Sequence, residues 1–129
     1  MQIDSLDHLV LTVASIQATV DFYTRVLGME AVTFGSGRTA LAFGRHKINV
    51  HEAGHEFEPK ALRPTPGSAD LCLLTGVPMD DVIAHLAAHA VTVEEGPVQR
   101  TGAQGLIISV YIRDPDENLI EISNRAEAE

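Results

Sequence analysis

Residues 6–13 alternate weakly between apolar and polar positions and are rich in Leu and Val, which predicts a strand. Ser15 follows as a candidate helix N-cap, and Ile16, Val20, Phe22, Tyr23, Val26 and Leu27 recur at helical spacing. Gly28 closes that stretch as a left-handed C-cap. Residues 30–34, 39–43 and 47–52 read as three short strands, parted by the turns Gly35-Ser36-Gly37 and Gly44-Arg45. The plan is β-α-β-β-β.

The same plan then recurs. Residues 53–67 hold Gly54, Pro59, Pro64, Pro66 and Gly67 and read as a linker. Residues 68–75 predict a strand, and Pro78 opens a helix whose apolar stripe is Val82, Ile83 and Leu86. A strand is predicted at 91–95. A mobile loop is predicted over 96–105, on the strength of Gly96, Pro97, Gly102 and Gly105. Residues 106–112 and 119–123 are strands joined by the turn Asp114-Pro115-Asp116-Glu117-Asn118, and 125–129 is a frayed tail. The expectation is an α+β fold of two tandem βαβββ modules, forming a curved mixed sheet with a central cleft. Residues 1–129 form one domain, with modules at 4–52 and 68–124.

Composition narrows the classes of function. The chain has 129 residues, enough for a core, and 45% hydrophobic content, ordinary for a globular protein. Its formal net charge of -9 opposes nucleic-acid binding, which needs a basic footprint, and opposes an anionic membrane surface. Cys72 is the one cysteine, so no disulfide framework exists and a reducing cytoplasm is expected; in an apolar strand it reads as a small buried hydrophobe. The N-terminus lacks a signal-peptide pattern, and no apolar run reaches membrane-spanning length.

The repetition turns scattered polar residues into a candidate site. His8 opens the first module, and Asp70, sixty-two positions on, opens the second at the equivalent place. Glu121 lies in the closing strand of the second module. Superposing the closing strands matches it with Asn49, whereas ligand chemistry prefers His51 two residues on, on the same face. The chosen set is His8, His51, Asp70 and Glu121, two imidazoles and two carboxylates suited to Zn²⁺, Ni²⁺, Fe²⁺ or Mn²⁺. Taken singly, each residue is more often a satisfied core or surface group than a ligand; equivalent placement in two copies is what argues otherwise. Ser109 and Tyr111 alternate onto the face of Glu121 and are candidate substrate-binding hydroxyls. His85 and His89, four apart on a helix without a third ligand, read as a surface stripe. No nucleotide-binding glycine motif, phosphate loop or Gly-x-Ser-x-Gly sequence occurs.

Three blocks carry a resemblance: residues 6–13; Phe22-Tyr23 with Leu27-Gly28-Met29; and Asp114-Pro115-Asp116 with Asn118-Leu119-Ile120-Glu121. On these the chain resembles the vicinal oxygen chelate superfamily of glyoxalase I, bleomycin-resistance proteins, fosfomycin-resistance proteins and extradiol dioxygenases. It looks closest to the glyoxalase domain-containing protein 5 type, through Asn49-Val50-His51-Glu52, Glu94-Glu95-Gly96-Pro97 and Arg100-Thr101-Gly102 among others. The resemblance implies metal ligands at His8, Asp70, Glu121 and either His51 or Asn49, and substrate contacts from Ser109 and Tyr111. Asp70 departs from the residue common at that place in glyoxalase I. The implied activity is a metal-dependent lyase or isomerase acting on a small vicinal-oxygen carbonyl compound, such as a methylglyoxal-thiol hemithioacetal, with Glu121 moving the proton. The rivals are a metal-free ligand-sequestering protein and a non-haem iron dioxygenase using His8, His51 and Glu121. A homodimer is expected.

Overall fold

In the computed structural model, which describes residues 1–126, the two modules form two compact units, Met1–Gly67 and Ser68 onward. The α+β plan is realised as two four-stranded mixed sheets, one per module.

In the first unit, β1 (His8–Val13) leads into helix α1 (Ile16–Arg25), followed by β2 (Glu30–Phe34), β3 (Arg38–Phe43) and β4 (His46–Glu52). Sheet order is β1-β4-β3-β2; β1 runs parallel to β4 and the other pairs are antiparallel. The crossover helix makes the parallel pair possible, since parallel neighbours cannot be joined by a tight turn. Ser15 caps α1 by accepting from the Ala18 amide over 3.1 Å. Gly28, at φ +69°, turns the chain out of the helix and donates its amide to the Thr24 carbonyl. Leu11, Val13, Ile48 and Val50 are buried on one face, where Phe22 and Tyr23 of α1 are also buried. By strand alternation, His8, Val10, Thr12, Lys47, Asn49 and His51 occupy the other face.

The second unit repeats this with β5 (Asp70–Leu74), α2 (Met79–Ala88), β6 (Glu95–Gly102), β7 (Gly105–Arg113) and β8 (Leu119–Arg125), in the order β5-β8-β7-β6. Val110, Ile112, Ile120 and Ile122 are buried on the helix side, with Val82 and Leu86 of α2. The Asp114–Asn118 turn fixes where β8 begins. Asp114 accepts from the amides of Asp116 and Asn118 and from the Asn118 side chain, and Asn118 accepts from the Ala69 amide just before β5. That turn ties β5, β7 and β8 together, and so sets the row on which Glu121 stands.

The segment from 91 to 105 differs from expectation. Residues 91–94 are not strand, and the predicted loop is mostly β6. β6 is an edge strand, where proline's missing amide costs no ladder bond, and its register shifts between Glu95 and Val98 around Gly96-Pro97. Gly96 is required there: its φ is +107°, and a Cβ would stand 2.4 Å from the Ser109 carbonyl oxygen. Residues 127–129 of the predicted tail lie outside the described residues, while Arg125 still belongs to β8.

Candidate functional site

The register of the two parallel pairs defines equivalent positions. His8 stands opposite Lys47, as Asp70 stands opposite Leu119. Two rows further on, Val10 pairs with Asn49 and Cys72 with Glu121. Asn49 is therefore the structural counterpart of Glu121. His51, opposite Thr12, is the counterpart of Ser123, opposite Leu74.

Within the first unit, His8 and His51 share a face but stand four rows apart, about 13 Å along the strands. His8 is partly exposed and bonded through Nδ1 to Asp7 over 2.7 Å, which holds the Asp7 carboxyl below its ordinary value. His51 is 7% exposed, edge-on to the Phe57 ring, which in turn lies under Arg38. Burial, then the Arg38 charge, push its imidazole below the ordinary histidine value, which favours the neutral ring. Asn49 is also buried, and its Oδ1 has no hydrogen-bond partner. A buried carbonyl oxygen without a partner is uncommon and is an available oxygen donor.

Within the second unit, Asp70 and Glu121 form a diagonal pair on adjacent strands, about 7–8 Å apart at the backbone. Glu121 is the better built of the two. Ser109, directly across from Ser123 on β7, donates its hydroxyl to Glu121 Oε2 over 2.6 Å. The Ser109 and Ser123 hydroxyls are 2.7 Å apart, and Cys72 Sγ is 3.4 Å from the Ser123 hydroxyl. Each hydroxyl carries one proton. Because the Ser109 proton goes to Glu121, Ser123 donates to Ser109 and Cys72 donates to Ser123. The chain Cys72–Ser123–Ser109–Glu121 thus points its donors toward the carboxylate. Among the described residues, no three His, Cys, Asp or Glu side chains come together where one ion could be held; each unit brings a pair of donors to one face.

Ser109 is fully buried, with its hydroxyl bonded to Glu121 and not on the cavity wall. Tyr111, directly opposite Glu121 on β7, does line an open cavity of about 510 Å³. Cys72, Leu74, Arg100, Ile107, Glu121 and Arg125 also contribute to its wall. Cys72 is exposed there, against the expectation of a buried hydrophobe, because it alternates onto the face opposite α2. Arg100 Nε donates to the Tyr111 oxygen over 3.0 Å, leaving the phenol proton to point elsewhere. The sequence reading missed Arg100 because it assigned residues 96–105 to a loop. The signal that could have found it is the alternation of Val98 and Arg100 across from Ser109 and Ile107.

A profile of the Glyoxalase/Bleomycin resistance protein/Dioxygenase superfamily matches residues 5–122. Virulence protein STM3117 of Salmonella typhimurium is 59% identical over 123 residues, covering 95% of this chain and 85% of that one. Its crystal structure superposes with a TM-score of 0.96 at 58% identity, covering 98% of this chain and 100% of that one. Glyoxalase domain-containing protein RDO1 of Mycosarcoma maydis is 56% identical over 128 residues, 99% of this chain and 72% of that one. At 21% identity, a lactoylglutathione lyase from Agrobacterium tumefaciens (TM-score 0.72, 96% of each chain) and the antibiotic binding protein TnmS3 from Streptomyces (0.75, 98% and 99%) share the fold.

Proposed function

The chain belongs to the Glyoxalase/Bleomycin resistance protein/Dioxygenase superfamily, and from that premise we propose that it is a divalent-metal-dependent lyase or isomerase resembling glyoxalase I. Its substrate is a small carbonyl compound with vicinal oxygens, such as a methylglyoxal-thiol hemithioacetal. Within the superfamily, its type is that of glyoxalase domain-containing protein 5.

The observation that carries it is the matched register, which sets His8 and Asn49 in one repeat against Asp70 and Glu121 in the other. The donor set is an imidazole, two carboxylates and the unpartnered amide oxygen of Asn49, which fits Mn²⁺, Fe²⁺, Ni²⁺ or Zn²⁺. The register favours Asn49 over His51 as the fourth donor. When bound, the metal would polarise the substrate carbonyl as a Lewis acid.

The chain's own residues supply the rest. Glu121, released from its donor role when substrate binds, takes the proton from the carbon beside the carbonyl and returns it to the neighbouring carbon, so no oxidant or reductant is consumed. Ser109 holds its second oxygen in place during both transfers. Tyr111, with Arg100 donating into its oxygen, offers its own proton to a substrate oxygen. The single thiol is consistent with a reducing cytoplasm, and among the described residues no helix is long and apolar enough to cross a membrane.

Turnover of the hemithioacetal by metal-loaded protein, lost in Glu121→Gln, tests the reading. A second reading, a metal-free ligand-sequestering protein, is favoured by one observation: a neutral amide, Asn49, stands where the other repeat has a carboxylate. Tight binding of ligand by metal-stripped protein without turnover would support it.

A further inference from the structure

Arg100 has more hydrogen-bonding capacity than its neighbours use. Its Nε donates to Tyr111, Nη1 to the Gln99 carbonyl over 3.2 Å, and Nη2 to Glu95 over 3.4 Å. A guanidinium has five N–H donors. One therefore remains on each terminal nitrogen, enough for two N–H···O bonds to the two oxygens of a carboxylate. The three bonds already made hold the group in place, so little side-chain freedom is lost on binding a ligand.

The surroundings point to the same ligand chemistry. The chain as a whole carries a net charge of -9, yet the cavity wall carries two guanidinium groups, Arg100 and Arg125, against one carboxylate, Glu121. Glu95 offsets Arg100 only weakly, through a long contact with a side chain 60% exposed. Ala103, Leu74 and Ile107 supply apolar wall beside the charges. A sign of charge opposite to that of the chain, concentrated in a concavity, favours entry of anions.

We propose that Arg100 is a specificity-determining residue that holds a carboxylate on the small molecule occupying this cavity, with Leu74 and Ile107 against its apolar part. The inference deepens the lyase reading by naming the anionic end of the substrate, and rests on it only through the shared Glu121 wall. Tyr111 links the two, since the guanidinium that holds the carboxylate also orients the phenol.

The test uses hexanoate and its neutral isostere hexanamide on the full chain without added metal. Cys72, the sole thiol, lines the same cavity, so its rate of alkylation by iodoacetamide reports occupancy. Hexanoate should slow alkylation saturably and shift the backbone amide resonances of Gly102 and Ala103, and hexanamide should do neither. Arg100→Gln should weaken hexanoate at least about tenfold, with Arg100→Lys intermediate because it keeps the charge and loses the fork. Equal protection by both compounds, protection by neither, or undiminished hexanoate binding in Arg100→Gln would overturn the proposal. The probe needs neither metal nor turnover, so its failure is distinct from a failure of the lyase reading, which shows in metal content and hemithioacetal turnover.

Discussion

Ser109 and Glu121, on neighbouring strands, are joined by a 2.6 Å hydrogen bond in which the serine hydroxyl donates to the carboxylate. Behind it, Ser123 and Cys72 complete a chain of donors directed at the same group. Ser109→Ala removes a buried hydroxyl and leaves both Glu121 and Ser123 one partner short. A loss of about 1–3 kcal/mol in unfolding free energy is expected by urea titration, with a fall in turnover larger than any rise in KM. Unchanged stability would mean that the bond carries nothing.

The thiol at the other end of that chain gives a pH-dependent readout. Partial desolvation by its neighbours first, and the nearby Glu121 and Asp70 carboxylates after it, push the Cys72 thiol above its ordinary value. A raised value means that thiolate forms at higher pH than in a free cysteine. The pH profile of iodoacetamide alkylation should therefore have its midpoint above that of a free thiol. Glu121→Gln should move it back only part of the way, because the partial desolvation remains. A midpoint below that of free cysteine would contradict the assignment.

Gly96 and Gly76 make a matched pair. A Cβ at Gly96 meets the Ser109 carbonyl at 2.4 Å and the Val110 Cα at 3.0 Å, at a φ that L side chains avoid. At Gly76 a Cβ meets nothing within 4 Å. Gly96→Ala should cost more than about 2 kcal/mol, and Gly76→Ala should stay within about 0.5 kcal/mol of the parent. Thermal unfolding of the two variants checks this; equal midpoints would contradict the packing of β6 on β7.

Asn49→Asp probes the fourth donor position. Without metal, the variant buries a carboxylate where the amide oxygen already lacks a partner, and should lose about 1–3 kcal/mol of stability. With Mn²⁺ in excess the melting temperature should recover, and by more than the parent gains, because binding to the native state alone stabilises it. If Mn²⁺ leaves the variant's melting temperature unchanged, Asn49 is not a ligand position.

Much of this was readable from residue order, and what was not has physical causes. Helix α1, its Ser15 cap and strands β1 to β5 follow from local periodicity and turn residues, which act over a few positions. β6 was hidden because Gly96, Pro97, Gly102 and Gly105 signal a loop, and only its place at the sheet edge makes that composition tolerable in a strand. Arg100 was lost with it. The face shared by Ser109, Tyr111 and Glu121 was legible by alternation, whereas the burial that removes Ser109 from the cavity depends on β6, β7 and β8 lying side by side. The relation of Asn49 to Glu121 rests on registers between strands far apart in sequence, β1 with β4 and β5 with β8. Residue chemistry alone therefore favoured His51.

Elemental analysis of the purified, untagged protein, expressed without added metal, separates the metal-dependent lyase from a metal-free binding protein. About one Mn, Fe, Ni or Zn per chain is expected in the parent, lost in both His8→Ala and Glu121→Gln. No metal in the parent, and none taken up on dialysis against those ions, would contradict it and leave the ligand-sequestering reading.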